Sequence, residues 1–171
     1  MSIPAVISEI APYRVKHALL TGGEPLLQRQ TSALLDALNG EHYQVSIETH
    51  GEVSVRDFVG RARIVMDIKT PSSGMSRGGF RENLQWLKQT DEIKFVIGSP
   101  EDYAFARNLI ETGLPTGEVL ISPAMPAKAS PGSFPGVTPK WLAERVLEDR
   151  LPVRMQIQLH KYIWGADKTG V

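Results

Sequence analysis

Glycines, acids and amines recur in this sequence at points where an apolar run gives way to a turn. Thr21-Gly22-Gly23-Glu24-Pro25 follows Leu20, and Glu48-Thr49-His50-Gly51 follows Ile47. Asp67-Ile68-Lys69 closes a third run, Ser122-Pro123 another, and Gln158-Leu159-His160-Lys161 the last. Two adjacent glycines let a backbone approach a ligand and offer free N–H groups, while a carboxylate beside them can hold an ammonium group. That suits an amino-acid moiety better than a phosphate. A tight turn with Glu24 near a helix N-terminus explains the same pentapeptide equally well. Glu48 and Asp67 put an acid at each of two neighbouring strand mouths, and Lys69, two residues after Asp67, projects to the same side above an apolar floor. Taken singly, such charges fit a solvated rim better than a site. His160 is either a donor to a substrate carboxylate or a satisfied rim imidazole, and Tyr162 and Trp164 suit a lid or the core. No Ser/His/Asp triad, HExxH helix, P-loop or EF-hand spacing occurs.

These residues can meet only if the intervening elements bring them to one end of a sheet. Ser2 and Pro4 open a short helix with Val6, Ile7 and Ile10 on one stripe. His17 to Leu20 reads as a buried strand. Leu26 to Leu38 has helical spacing and a left-handed stop at Asn39-Gly40. Gln44 to Glu48 and Ile64 to Ile68 are strands, with one helical turn near Val55 to Val59 between them. A Ser/Gly-rich loop, Pro71 to Gly79, leads to a helix carrying Leu84, Trp86 and Leu87. Ile93 to Ile97 is a strand, and Ser99-Pro100-Glu101-Asp102 caps a helix running to Ile110. Val119 to Ile121 is a strand, Pro123 to Pro139 a long loop, and Thr138-Pro139 starts a helix through Leu147. Val153 to Leu159 alternates as a sixth strand before a polar tail after Trp164. Strands alternating with helices predict a parallel α/β sheet, either a barrel or doubly wound, and such sheets bind ligands at the strands' carboxyl ends. No Rossmann fingerprint is present.

The 171 residues are enough for one domain with one core, spanning 1–171. Nineteen basic and nineteen acidic side chains cancel, without a run of like charges, so neither nucleic acid nor a membrane surface is indicated as a partner. The apolar runs are far shorter than a bilayer span and no signal-type segment opens the chain, which predicts a cytoplasmic protein. The chain has no cysteine, which excludes disulfides and thiolate ligation by its own residues.

Taken in order, Leu20 to Leu26, Ile47-Glu48-Thr49-His50-Gly51, Asp67-Ile68-Lys69-Thr70-Pro71, Asp91-Glu92-Ile93-Lys94-Phe95-Val96, Ile121-Ser122-Pro123 and Gln158-Leu159-His160-Lys161 resemble the 7-carboxy-7-deazaguanine synthase family. The Gly-Gly-Glu segment alone is shared by radical S-adenosylmethionine (SAM) enzymes broadly; the Asp-Glu-Ile-Lys and Gln-Leu-His-Lys segments narrow the resemblance. It implies an incomplete β/α barrel of about six mostly parallel strands, usually a homodimer. Members are lyases of queuosine and 7-deazapurine biosynthesis that use a [4Fe–4S] cluster, SAM and Mg²⁺. They convert 6-carboxy-5,6,7,8-tetrahydropterin into 7-carboxy-7-deazaguanine by radical ring contraction with loss of ammonia. Carried onto this sequence, the resemblance gives Gly22, Gly23 and Glu24 the methionine end of SAM. It gives Asp67, Ile68, Lys69, Ser122 and Pro123 the nucleoside, with Glu48 in the same pocket. Thr21 and His160 face the pterin.

The family's CxxxCxxC motif and the threonine that binds Mg²⁺ follow its first strand, and this sequence starts at the helix beyond that strand. The resemblance therefore implies a truncated form lacking the cluster and metal ligands, unable to generate the radical, since neighbouring oxygens do not replace three soft thiolates. His17 to Leu20 is then expected to form an unpaired sheet edge, favouring dimerisation or poor solubility. A second expectation is a cluster-free module that binds SAM or a nucleoside without catalysis. A third is an unrelated α/β enzyme using Glu48, Asp67, Lys69 and His160 for acid–base work.

Overall fold

The computed structural model describes residues 1–75, 77–115, 117–124 and 136–165. Six parallel strands form one sheet in the order of the chain: β1 (His17–Leu20), β2 (Gln44–Thr49), β3 (Arg63–Ile68), β4 (Glu92–Ile97), β5 (Glu118–Pro123) and β6 (Arg154–Met155). A doubly wound sheet reverses its order at a switch point, and this one does not. The sequential, all-parallel order is that of a β/α barrel left open, since β1 and β6 are not paired with each other among the described residues. The helices are α1 (Ile3–Ile10), α2 (Thr31–Gly40), α3 (Phe80–Asn83), α4 (Pro100–Glu111), α5 (Pro139–Glu148) and α6 (Leu159–Trp164).

Strand alternation divides the sheet into two unlike faces. Ile47, Ile64, Met66, Ile68, Ile93, Phe95, Ile97 and Ile121 point to one side, and none is more than 1% exposed. Leu35, Leu38, Phe80, Tyr103, Ala106 and Leu142 from the helices complete this core. Burying each large side chain contributes roughly 1.5–3 kcal/mol before entropy is counted. The opposite face carries Glu48, Val65, Asp67, Glu92, Lys94, Val96, Glu118, Leu120, Ser122 and Arg154 by the same alternation. The apolar floor expected beneath the charged mouths is therefore interrupted. At the amino end Arg63 bonds Glu92 at 2.7 Å, Arg154 approaches Glu92 at 3.7 Å, and Arg154 pairs with Glu118 at 3.0 Å. Charges fit here because each acid on one strand faces a guanidinium on another.

Several predicted boundaries move. The continuous helix expected from Leu26 to Leu38 is a 3₁₀ turn, Pro25–Leu27, followed by α2 from Thr31. Thr31 makes the break by donating its hydroxyl to the Pro25 carbonyl at 2.5 Å, while Gln28 adopts extended backbone angles. The left-handed residue after α2 is His42, not Gly40. The predicted strand Val153 to Leu159 shrinks to Arg154–Met155, and its last residue opens α6. Pro123 supplies the reason: Ile121 accepts from Gln156 N–H, so the next β5 residue facing β6 is Pro123, which has no N–H to extend the ladder. The cap at Ser99 forms as expected, with Asp102 completing a capping box. Most of the loop predicted between Pro123 and Pro139, and the tail after Gly165, lie outside the described residues.

Candidate functional site at the carboxyl ends of the strands

The turn after β1 is built around Glu24. Its carboxylate accepts from Leu26 N–H at 3.0 Å, from the Thr49 hydroxyl at 2.8 Å and from His50 N–H at 2.9 Å. His50 Nδ1 accepts from Glu52 N–H at 3.1 Å, which places the ring proton on Nε2, and Nε2 lies 3.1 Å from Glu24 Oε2. Glu24 is thus 93% buried in a ring of donors from its own turn and the neighbouring β2 turn, since its exposure is 7%. Gly22 and Gly23 stand outside this ring at positive φ, +94° and +53°, and a Cβ built on either meets nothing within 4 Å. Glu24 thus ties the turn after β1 to the turn after β2, while a side chain at Gly22 or Gly23 would meet open space.

Beyond the mouths of β3 and β4 a cavity of about 430 Å³ is lined by Asp67, Lys69, Thr70, Ser72, Lys94 and Gln158, among others. That volume lies within the roughly 300–1,000 Å³ of small-molecule sites. Lys69 Nζ holds Asp67 Oδ2 at 2.6 Å, as their spacing predicts. Asp67 Oδ1 and Gln158 Oε1 are buried without a hydrogen-bond partner among the described residues, and so is Ser122 Oγ on the same sheet face. Buried acceptors left without donors are costly, so these atoms ask for a donor from outside the fold. A second hollow of about 350 Å³ lies beside β1, lined by Leu20, Thr21, Gly22, Gln28 and Leu34 among others. Glu48 stands between the two, accepting from Thr21 Oγ1 at 3.3 Å and from Lys94 Nζ at 2.6 Å.

Lys69, Asp67 and Ile68 therefore share one cavity, Thr21 and Gly22 share the hollow beside β1, and Glu48 bonds one residue from the lining of each. Gly23, Glu24, Glu48, Ser122 and Pro123 line neither. His160 sits in the first turn of α6 rather than at a strand mouth, because the strand that was to carry it ends at Met155; its side chain lies outside the described residues. Tyr162 and Trp164 are more than half exposed and do not belong to the core. Lys94 and Gln158, which stand in the segments that carry the resemblance without a role assigned to them there, line the cavity, as does Ser72. The register Asp67↔Lys94 is the signal that finds Lys94, but it requires the pairing of β3 with β4. Gln158 was read as a strand residue and enters the cavity from the segment before α6.

A parallel, sequentially ordered sheet left open, with cavities at the carboxyl ends of its strands, defines a protein of the β/α-barrel class. No protein-family model matches the chain. A curated 7-carboxy-7-deazaguanine synthase from Chlorobaculum tepidum is 37% identical over 176 residues, covering 100% of this chain and 76% of that protein. Another, from Koribacter versatilis, is 42% identical over 160 residues, covering 89% of this chain and 70% of its own. The crystal structure of QueE from Escherichia coli matches with a TM-score of 0.60 at 21% identity, covering 91% of this chain and 64% of that one. That likeness shows the shared fold, and the curated relatives show more. The chain belongs to the 7-carboxy-7-deazaguanine synthase family, and it spans between about two-thirds and three-quarters of the length of these proteins.

Proposed function

We propose that these residues form the SAM- and substrate-binding part of a 7-carboxy-7-deazaguanine synthase, acting on 6-carboxy-5,6,7,8-tetrahydropterin. The observation that carries this is the pair of buried acceptors in one cavity, Asp67 Oδ1 and Gln158 Oε1, that have no hydrogen-bond partner among the described residues. A nucleoside supplies what they lack, in its ribose hydroxyls and adenine amine. Asp67, Ile68 and Lys69 line the nucleoside, with Ser122 and Pro123 on the neighbouring strand. Gly22 and Gly23 offer backbone groups to the methionine end, and Glu24 holds their turn in shape. Glu48 faces the same ligand, while Thr21 and His160 face the pterin. SAM, once bound, supplies the radical precursor of the family's ring contraction; the chain's own residues bind, orient and keep water from it. A homodimer is proposed on the exposed β1 edge, where Leu19 is 54% exposed.

The [4Fe–4S] cluster and Mg²⁺ of the family do not fit this donor set. The sequence has no cysteine, and among the described residues no three His, Asp or Glu side chains group as a metal site. No step is assigned to either. Zero cysteines also favour a second reading, a cluster-free module that binds SAM or a nucleoside without catalysis. Among the described residues no helix is long and apolar enough to cross a membrane.

Calorimetric titration of the 171-residue chain with SAM tests the proposal. Micromolar binding is expected, with Asp67→Ala weakening it about tenfold for a lost buried hydrogen bond. Absence of binding refutes the SAM reading. Anaerobic incubation with iron and sulfide is expected to give no iron–sulfur absorbance on this chain alone; absorbance would overturn the statement that its donor set does not fit the cluster.

A further inference from the structure

Lys94 is not one of the residues that the carboxyl-end turns put forward, yet its ammonium group joins two parts of the site. Its register partner is Asp67 on β3, the nearest acid along the ladder. Asp67 Oδ2 is already taken by Lys69, and Lys94 instead crosses β3 to reach Glu48 Oε1 on β2 at 2.6 Å. The two side chains are 21% and 23% exposed, so their attraction is less screened than that of an ordinary surface pair. The other oxygen of Glu48, Oε2, accepts from the Thr21 hydroxyl at 3.3 Å. Lys94 belongs to the wall of the cavity between β3 and β4, and Thr21 to the wall of the hollow beside β1. A single carboxylate, addressed by one donor from each side, therefore stands on the boundary between them.

We infer that Lys94 is a positioning residue that clamps the Glu48 carboxylate at the junction of the two hollows, so that a ligand spanning both meets a fixed acceptor. A glutamate free to rotate loses that freedom when it binds, whereas one already clamped has less to lose. The ammonium group also offsets the cost of partly burying the acid. Lys69 cannot take over this role, being committed to Asp67. The inference rests on the SAM reading given above.

Calorimetric titration of SAM into four chains tests it: wild type, Lys94→Met, Glu48→Gln and the double variant, with a thermal melt of each to confirm folding. Lys94→Met is expected to weaken SAM binding about 5- to 10-fold and Glu48→Gln by a similar factor, with the double variant no weaker than Glu48→Gln alone. Lys94→Arg should recover most of the loss, and Lys94→Gln carries the same expectation as Lys94→Met should the latter melt too low to titrate. Losses that multiply in the double variant overturn the inference and leave the SAM reading standing, as does wild-type affinity in Lys94→Met. No binding by the wild type overturns both.

Discussion

Replacing Asp102 by alanine should destabilise this protein more than any cavity-lining substitution, although Asp102 touches no ligand surface. Its side chain has 0% exposure. It accepts from Ser72 N–H at 2.8 Å, from Gly98 N–H at 2.9 Å, from Ser99 N–H at 3.2 Å and from the Ser72 hydroxyl. One carboxylate thus ties the turn after β3 to the turn after β4, and Ser72 and Gly98 both line the cavity. Each buried N–H stripped of its acceptor costs about 1–3 kcal/mol. Losing the Asp102 half of the capping box, the side chain that accepts from Ser99 N–H, adds about 0.5–1 kcal/mol. With water entering at the less buried Ser72, the total is about 3–5 kcal/mol. At this chain length that corresponds to a Tm lowered by roughly 10 °C. Urea unfolding of both proteins, with the slope m unchanged, measures the difference directly. Asp102→Asn keeps one acceptor oxygen and should lose about half as much. An alanine variant within about 1 kcal/mol of wild type would show that the two turns are held by something other than this carboxylate.

Gly51→Ala should cost about 2–4 kcal/mol by urea unfolding, from left-handed strain and crowding together. Its φ is +78°, and a Cβ there would meet Met66 Sδ at 2.9 Å and Phe80 Cβ at 3.0 Å. Asp149, between α5 and β6, is held below its ordinary carboxyl pKa, chiefly by the Tyr103 hydroxyl donating at 2.9 Å and then by the Arg107 guanidinium. A depressed folded value means stabilisation that is complete above the unfolded pKa and lost as pH falls through the folded one. The Tm gap between wild type and Asp149→Asn should therefore be widest near neutrality and close in acid; a gap independent of pH would contradict this. Leu19→Lys on the β1 edge should shift any self-association toward monomer in sedimentation at micromolar concentration without lowering Tm. An unchanged dimer would move the interface elsewhere.

The sheet was legible because its buried strands are dense in Ile, Val and Phe, and the cap of α4 because Ser99-Pro100-Glu101-Asp102 is a local signal. Asp102's second role was not, since nothing in the spacing reveals that it reaches Ser72 thirty residues earlier. The same holds for Lys94: a lysine inside an apolar run reads as an outlier until the register sets it beside Asp67 and within reach of Glu48. Alternation misled at Val153 to Leu159, where apolar residues at every second position suggested a strand that the missing N–H of Pro123 prevents. Thr31 delays the start of α2 through a contact with Pro25 that periodicity cannot see.

The charged ladder at the amino end of the sheet makes the cavity answerable to ionic strength. β6 holds the sheet by only two residues, and Arg154, one of them, is fastened to Glu92 and Glu118. Dissolved salt weakens that fastening from the solvent side. The strand it secures leads directly into Gln158, so loosening the far end of the barrel slackens the wall against which a nucleoside is proposed to rest.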